Sequence, residues 1–481
     1  MKTLVRRLTL GVGVLVVLGL FAIIALGAFS RAPGDERVPG GMRRNESVYV
    51  TMRDGVRIAI DIWYPPTLGT GVRVPTLFRA TRYVRAVRPA LLGRALAAVG
   101  RFPLDTADIS TLNGAGYVVI LVDARGSGAS FGTRPVEWSH DEVRDYGELS
   151  DWVAQQPWSN GRVGAWGVSY DGNTAEFFAT TGSAAVRAVA PLYDDFDPAL
   201  NLVMPGGVLT SGFMKDWGRL TATMDANDFC RLSGASGLKC SLQRLVMLGT
   251  KPVDADRGGA MLDSAVAGHV TNYDVYADVS GLAFPRDTLR TAREPLSAFS
   301  PFAHKAELER SGLPMLVRVG WLDAGPVNVA LGRFLSVATP QHLEIGPWSH
   351  GGGHHVDPFL PDTTTTVPSS AEQFTQLIAF FDGQLQSATP APVTREIRYY
   401  VMNEGTWRST TQWPPVEMTS ARWYFGANRS LTRDSATSPG LDDYIVDTTH
   451  TTGSQTRWHT QLGGLDVVYP NRASADAKLL T

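Results

Sequence analysis

Three residue types that together can perform nucleophilic acyl transfer occur here in settings that suit them: Ser169, Asp323 and His350. Ser169 closes the apolar run Val163-Gly164-Ala165-Trp166-Gly167-Val168, and Tyr170-Asp171-Gly172 opens a stretch of helical character behind it. A strand, sharp turn and helix in that order expose a serine hydroxyl on a turn that needs small neighbours. They also aim the first helical amides at any negative charge forming beside it. Asp323 ends Gly320-Trp321-Leu322-Asp323, and His350 ends Gly346-Pro347-Trp348-Ser349-His350. A neutral hydroxyl needs a base to take its proton and donors to hold the oxyanion it creates. His350 would be that base, with Asp323 fixing its tautomer and stabilising the imidazolium. One oxyanion donor is expected from the backbone amide of Tyr170; a phenol can supply a second, and Tyr83 follows the early strand Thr76 to Phe78. His342 reads as packing within a strand, and His354 and His355 as solvated loop residues rather than metal ligands. No metal or cofactor is expected.

The elements that must position these residues alternate. A hairpin runs from Ser47 to Met52 and from Val56 to Trp63 around Asp54-Gly55. Apolar β runs follow at Thr76 to Phe78, Val118 to Val122, Val163 to Trp166 and Val186 to Ala190. Glu142 to Gln155 and Asn173 to Thr181 have helical periods between them. Such alternation predicts a mostly parallel sheet with helices on both faces, an α/β fold. From Phe196 to Phe302 the β signal stops, which predicts a helical cap inserted over the sheet. Alternation resumes with Leu313 to Val319, Val327 to Leu335, His342 to Ile345 and a helix near Ala371 to Gln384. After Thr394 aromatic and β-branched residues alternate, in Ile397 to Met402, Ala421 to Phe425 and Leu465 to Tyr469, which predicts an all-β domain.

Composition bounds the function classes. The 481 residues are 44% hydrophobic and 19% charged with a net charge of −2, and no basic stripe points to nucleic acid. Lys2, Arg6 and Arg7 precede an uncharged apolar run from Leu8 to Phe29. A positive start before such a run directs export, as a cleaved signal peptide or as a membrane anchor through residues 8–29. Cys230 and Cys240 are the only cysteines. In an exported protein the pair is expected to close a local loop as a disulfide, the alternative being two inert thiols.

The chain resembles the cocaine esterase and X-Pro dipeptidyl-peptidase family of α/β-hydrolases, from about Ser47 to its end. The resemblance is carried by Asp54-Gly55-Val56, Asp123-Ala124-Arg125-Gly126 and Gln156-Pro157-Trp158-Ser159-Asn160-Gly161. It is carried further by Gly167-Val168-Ser169-Tyr170-Asp171-Gly172, Gly320-Trp321-Leu322-Asp323 and Gly346-Pro347-Trp348-Ser349-His350. It implies an α/β-hydrolase sheet with a helical cap insertion and a C-terminal jelly-roll-like domain. It also implies an oxyanion hole made by the Tyr83 hydroxyl and the Tyr170 amide. Asp171, Asp194, Asp195 and the nearby Asp197 would gather around a substrate ammonium, as in the amino-ester hydrolases the chain resembles, and Trp166 and Trp321 would wall an aromatic pocket.

The expected domains are an export segment (1–30), a linker (31–45), two parts of the hydrolase core (46–195 and 303–390), a cap (196–302) and a β-sandwich (391–481). The last holds too few strands for a whole jelly roll and is expected to be truncated. The expected function is an exported serine hydrolase cleaving small-molecule esters or amides through an acyl-enzyme. An X-Pro dipeptidyl-peptidase acting on short peptides is the alternative, and a catalytically silent binding module the second; the dipeptidyl-peptidases' large N-terminal helical domain has no counterpart before Ser47.

Overall fold

The computed structural model describes residues 36–443 apart from 40, 42, 99–106, 233, 235, 362–363, 429, 436–438 and 442. The expected export segment and the run Leu465 to Tyr469 lie outside the described residues. Among those described, no helix is long and apolar enough to cross a membrane.

Strands β1 (Asn45–Thr51) and β2 (Arg57–Trp63) pair antiparallel around the Asp54-Gly55 turn. Gly55 takes a positive φ of 82° there, and Asp54 Oδ1 accepts the Val56 amide at 3.1 Å, which is how an Asp-Gly turn closes. The chain continues through β3 (Val74–Thr81), β4 (Val87–Pro89), α1 (Leu91–Ala98), α2 (Ala107–Gly114), β5 (Val118–Asp123) and α3 (His140–Ala154). Then come β6 (Ser159–Val168), α4 (Tyr170–Phe178) and β7 (Val186–Leu192). The cap holds α5 (Ser211–Asp225), α6 (Gly237–Arg244), β8 (Met247–Thr250) and α7 (Ala260–Gly268). The core resumes with β9 (Met315–Gly320), α8 (Pro326–Ser336), β10 (Gln341–Gly346), α9 (Ser370–Phe381), β11 (Glu396–Val401) and β12 (Thr406–Thr410).

Ten strands form one sheet in the order β1-β2-β5-β3-β6-β7-β9-β10-β11-β12. Pairing is parallel from β5 to β11 and antiparallel at both margins. Because the central strands are covered on both faces, they read as unbroken apolar runs. Alternate residues part company: Phe78, Ile120, Ala165, Val189 and Val317 join one core with side chains of α3, α4, α8 and the cap. Their neighbours Leu77, Leu121, Trp166, Ala190 and Leu316 join a second with Ile109 and Leu112 of α2 and Leu377 and Phe381 of α9. Each such fully buried large aliphatic side chain stabilises the fold by about 1.5–3 kcal/mol.

Two expectations need correction. The cap is not purely helical, since β8 pairs antiparallel with β4 from the loop after β3. A four-residue run is too short for its alternation to be read, and its partner lies far away in sequence. The boundary expected at 391 falls inside the central sheet, because β11 lies parallel to β10 with Ile397 buried in the first core, and β12 follows it. Change in composition marked a change in solvent exposure there, not a new layer. Beyond it, Tyr424–Gly426 and Ser430–Thr432 form a separate short ribbon.

Candidate active site

Three chain segments meet at the carboxyl edge of the sheet. β6 ends at Val168, and Ser169 takes φ 64° and ψ −127° before α4 begins. A non-glycine residue there costs on the order of 1–3 kcal/mol, and the surroundings must hold it. The Ser169 amide donates to Leu192 O at 2.9 Å, while its carbonyl accepts from Gly172 and Asn173 at 2.8 and 3.0 Å. Both flanking glycines are steric requirements. A Cβ at Gly167 would collide with the carbonyl of Asp171, and one at Gly172 would sit 2.6 Å from Leu192 O.

The loops after β9 and β10 lie equally close. A Cβ at Gly320 would strike the Trp348 carbonyl, one at Gly346 the Trp348 ring, and the Trp321 amide donates to Gly346 O at 2.9 Å. This approach brings Asp323 Oδ2 and Oδ1 to 2.9 and 3.0 Å from His350 Nδ1. His350 Nε2 is buried and has no hydrogen-bond partner among the described residues. The loop rests on the end of β6, since a Cβ at Gly351 would lie 3.9 Å from Val168 Cγ1. Burial works against the His350 cation, but the charge and hydrogen bond of Asp323, with the charge of Asp195, hold its pKa above the ordinary imidazole value.

A cavity of about 40 Å³ opens beside Ser169, lined by Tyr83, Trp138, Asp195, Trp217 and Leu296 among others. That is room for a few waters, and most of the wall is apolar. Tyr83 meets Tyr170 edge to face at 5.9 Å between ring centroids, and its Oη accepts from Trp217 Nε1 at 2.9 Å. The Tyr170 ring, also part of the cavity lining, stacks on Trp138 at 4.8 Å and donates its hydroxyl to Glu142. Glu137, in the cavity lining, accepts from Arg82, from Arg134 at 2.7 Å and from Tyr273 at 3.0 Å, and Arg82 reaches Asp225 at 3.0 Å.

The remaining expected binding residues are dispersed. Asp194 is buried in a two-oxygen pair with Arg333 at 2.7 and 2.8 Å, away from the cavity. Asp171 lies outside the cavity lining, where burial pushes its carboxyl up to about 7 against the charge of Arg79, 3.9 Å away. Asp197 is likewise buried and outside that lining. Asp195 does line the cavity, and burial, with the charges of Asp323 and Asp194, pushes it up to about 8. The carboxylates therefore do not gather around one point. Trp166 belongs to the core on the other face of the sheet, against Phe374, and Trp321 donates to Tyr400 O at 2.7 Å beside Trp413. Neither walls the cavity: side-chain alternation along β6 carries Trp166 to the opposite face, and Trp321 is drawn to a partner remote in sequence.

His342 is not packed in a core, since Nδ1 meets Glu396 at 3.1 Å. Cys230 and Cys240 form a disulfide. Sequence reasoning missed Trp138, Glu137 and Trp217. The spacing Met214, Trp217, Thr221 marks a buried helix face, but nothing in it says what that face meets.

A family described as X-Pro dipeptidyl-peptidase (S15 family) matches residues 54–352. A protein of Mycobacterium bovis described as a serine esterase is 37% identical over 470 residues, covering 92% of this chain and 72% of its own. Cocaine esterase of a Rhodococcus species is 28% identical over 438 residues, covering 85% and 68%. Among solved structures, a CocE/NonD family hydrolase from Staphylococcus aureus superposes with a TM-score of 0.55 at 19% identity, covering 82% of this chain. The chain spans 60% of the length of that structure.

Proposed function

The chain belongs to the X-Pro dipeptidyl-peptidase (S15) family of α/β-hydrolases, which are serine hydrolases, and from that premise we propose that it cleaves esters of compact, uncharged acyl groups through Ser169, His350 and Asp323. The observation that carries the reading is the Asp323–His350 pair at 2.9 Å, with Nε2 buried and, among the described residues, unpartnered on a loop that rests against Val168. A base in the free enzyme often completes its bond to the nucleophile only with substrate present.

In the proposed cycle Ser169 Oγ attacks the acyl carbon while its proton passes to His350 Nε2. The carbonyl oxygen becomes an anion between the Tyr83 hydroxyl and the Tyr170 amide at the start of α4. His350 then protonates the leaving alcohol, the C–O bond breaks and an acyl-Ser169 ester remains. Water, deprotonated by the same imidazole, attacks that ester and releases the acid, and the proton returns to Ser169. The raised pKa of His350 makes it a stronger base and requires a pH high enough to keep it neutral.

Substrate class follows from the wall. An apolar cavity of about 40 Å³ suits a small acyl group. Of the two carboxylates lining the cavity among the described residues, Glu137 is engaged by Arg82 and Arg134, and burial pushes Asp195 up to about 8, so neither is offered to the ammonium of a peptide N-terminus at neutral pH. This favours an ester over an X-Pro peptide. The disulfide and the positive-then-apolar N-terminus support export, with membrane anchoring through residues 8–29 as one form of it. The test is a fluorophosphonate probe with and without Ser169→Ala, followed by p-nitrophenyl esters beside Xaa-Pro-p-nitroanilides. Labelling lost in the variant and turnover of short acyl esters are expected. Absence of labelling in folded protein would overturn the enzyme reading, and preference for the anilide would overturn the ester reading.

A further inference from the structure

Two consecutive residues of the loop after β3 are gripped by one helix of the cap. Tyr83 Oη accepts from Trp217 Nε1 at 2.9 Å, and Arg82 spans both oxygens of Asp225 at 3.0 and 3.1 Å. Trp217 and Asp225 both lie on α5, eight residues and so about 12 Å apart along its axis. The Arg82 guanidinium also lies 5.3 Å from the centroid of the Trp217 ring, a cation–π contact that joins the two grips. From the sheet side, Thr81 Oγ1 accepts the Tyr83 amide at 3.0 Å.

A phenol has one hydrogen to give and an oxygen that accepts. With the indole N–H on that oxygen from the cap side, the O–H hydrogen is turned away from Trp217. Among the described residues it has no acceptor, and Tyr83 and Ser169 line the same cavity. An oxyanion donor works by being oriented before the charge forms, so a rotor fixed in advance costs nothing at the moment of reaction.

We propose that Trp217 is a positioning residue for Tyr83: its indole N–H fixes the phenol so that the hydroxyl hydrogen meets the oxyanion formed at Ser169, and α5 makes that orientation depend on the docked cap. The proposal rests on the assignment of Tyr83 as oxyanion donor made above. Trp217 lines the same cavity, but the effect proposed for it acts through Tyr83. Its effect is expected in kcat rather than KM, and only while the Tyr83 hydroxyl is present.

The test is a double-mutant cycle on the full chain with a p-nitrophenyl ester, using Trp217→Phe, Tyr83→Phe and both together, with Ser169→Ala as the inactive reference. Trp217→Phe is expected to lower kcat about tenfold with KM nearly unchanged. Tyr83→Phe should lower it about 10²-fold, and the double variant should equal Tyr83→Phe alone. The same factor lost in both backgrounds, a rise in KM alone, or no change at all would each overturn the proposal. If Tyr83→Phe leaves kcat intact while Ser169→Ala abolishes turnover, the oxyanion assignment and this proposal fall together and the nucleophile assignment stands. Should Trp217→Phe not fold, Asp225→Asn loosens the second grip without altering a cavity-lining residue. It is expected to lower kcat several-fold in the Tyr83 background and not in the Tyr83→Phe background, and an equal loss in both would overturn the proposal.

Discussion

Around Ser169 the protein is held by main chain, whereas across the cavity, around Glu137, it is held by charged side chains. At Ser169 the fixing contacts are the Leu192, Gly172 and Asn173 backbone bonds, together with glycines that let two chains pass where a Cβ would collide. On the cap side of the cavity, Arg82, Arg134, Glu137, Asp225 and Tyr273 are joined in a largely buried network spanning core and cap. Backbone geometry gives a strained residue one position and little stability. A buried ion network stabilises little in net terms, yet removing one member leaves the others charged and dry.

The comparison breaks if the two regions respond alike to substitution. The largest effect is expected on the backbone-held side. Asp323→Asn keeps the shape but leaves the His350 tautomer and charge unsupported, and kcat is expected to fall by about 10⁴-fold with thermal stability little changed. Steady-state kinetics beside a melting curve decide it, and a large fall in stability would place Asp323 among structural ion pairs instead. On the other side Arg82→Met leaves Glu137 and Asp225 without a shared cation. It is expected to lower stability by about 3–5 kcal/mol in chemical denaturation. A neutral result there would mean that Arg134 on Glu137, and Asn272, whose side-chain amide donates to Asp225 Oδ2 at 2.9 Å, suffice to hold both carboxylates.

Smaller effects sharpen the contrast. The acid limb of kcat/KM is expected above the ordinary imidazole value of 6.5, because Asp323 holds His350 protonated to higher pH and the base acts only when neutral. Residual activity of Asp323→Asn should have its limb displaced to lower pH, since burial then acts unopposed by that charge. A limb that stays in place would detach the titration from His350. Least of all, Trp166→Phe is expected to leave kcat and KM unchanged within about twofold, as its ring lies in the core beyond the sheet. Any marked kinetic change would return it to the acyl site.

Legibility in the sequence followed the same division. The strand–turn–helix at Ser169 and the loops ending at Asp323 and His350 carry their geometry in local glycine spacing, so their types and order could be read directly. The parallel strands were readable because burial on both faces leaves unbroken apolar runs, as in Val118 to Val122. Asp194 and Trp321 misled for a common reason. Each lies beside a strand end, but its partner, Arg333 or Tyr400, comes from an element remote in sequence. β11 misled in another way: its composition resembles a β domain, while its place is set by register with β10.

By itself, then, the amino-acid order determined a doubly covered parallel sheet, the turn that strains Ser169, and the succession of serine, aspartate and histidine proposed to act together. Those features depend on neighbours within a few residues, where steric and hydrogen-bonding demands act directly. Tertiary structure alone decided which face each tryptophan took, which aspartate met a cation, and that Trp217 would reach Tyr83 across 134 positions. Such contacts join groups whose proximity is set by how a helix docks on a loop, and local spacing carries no record of that distance.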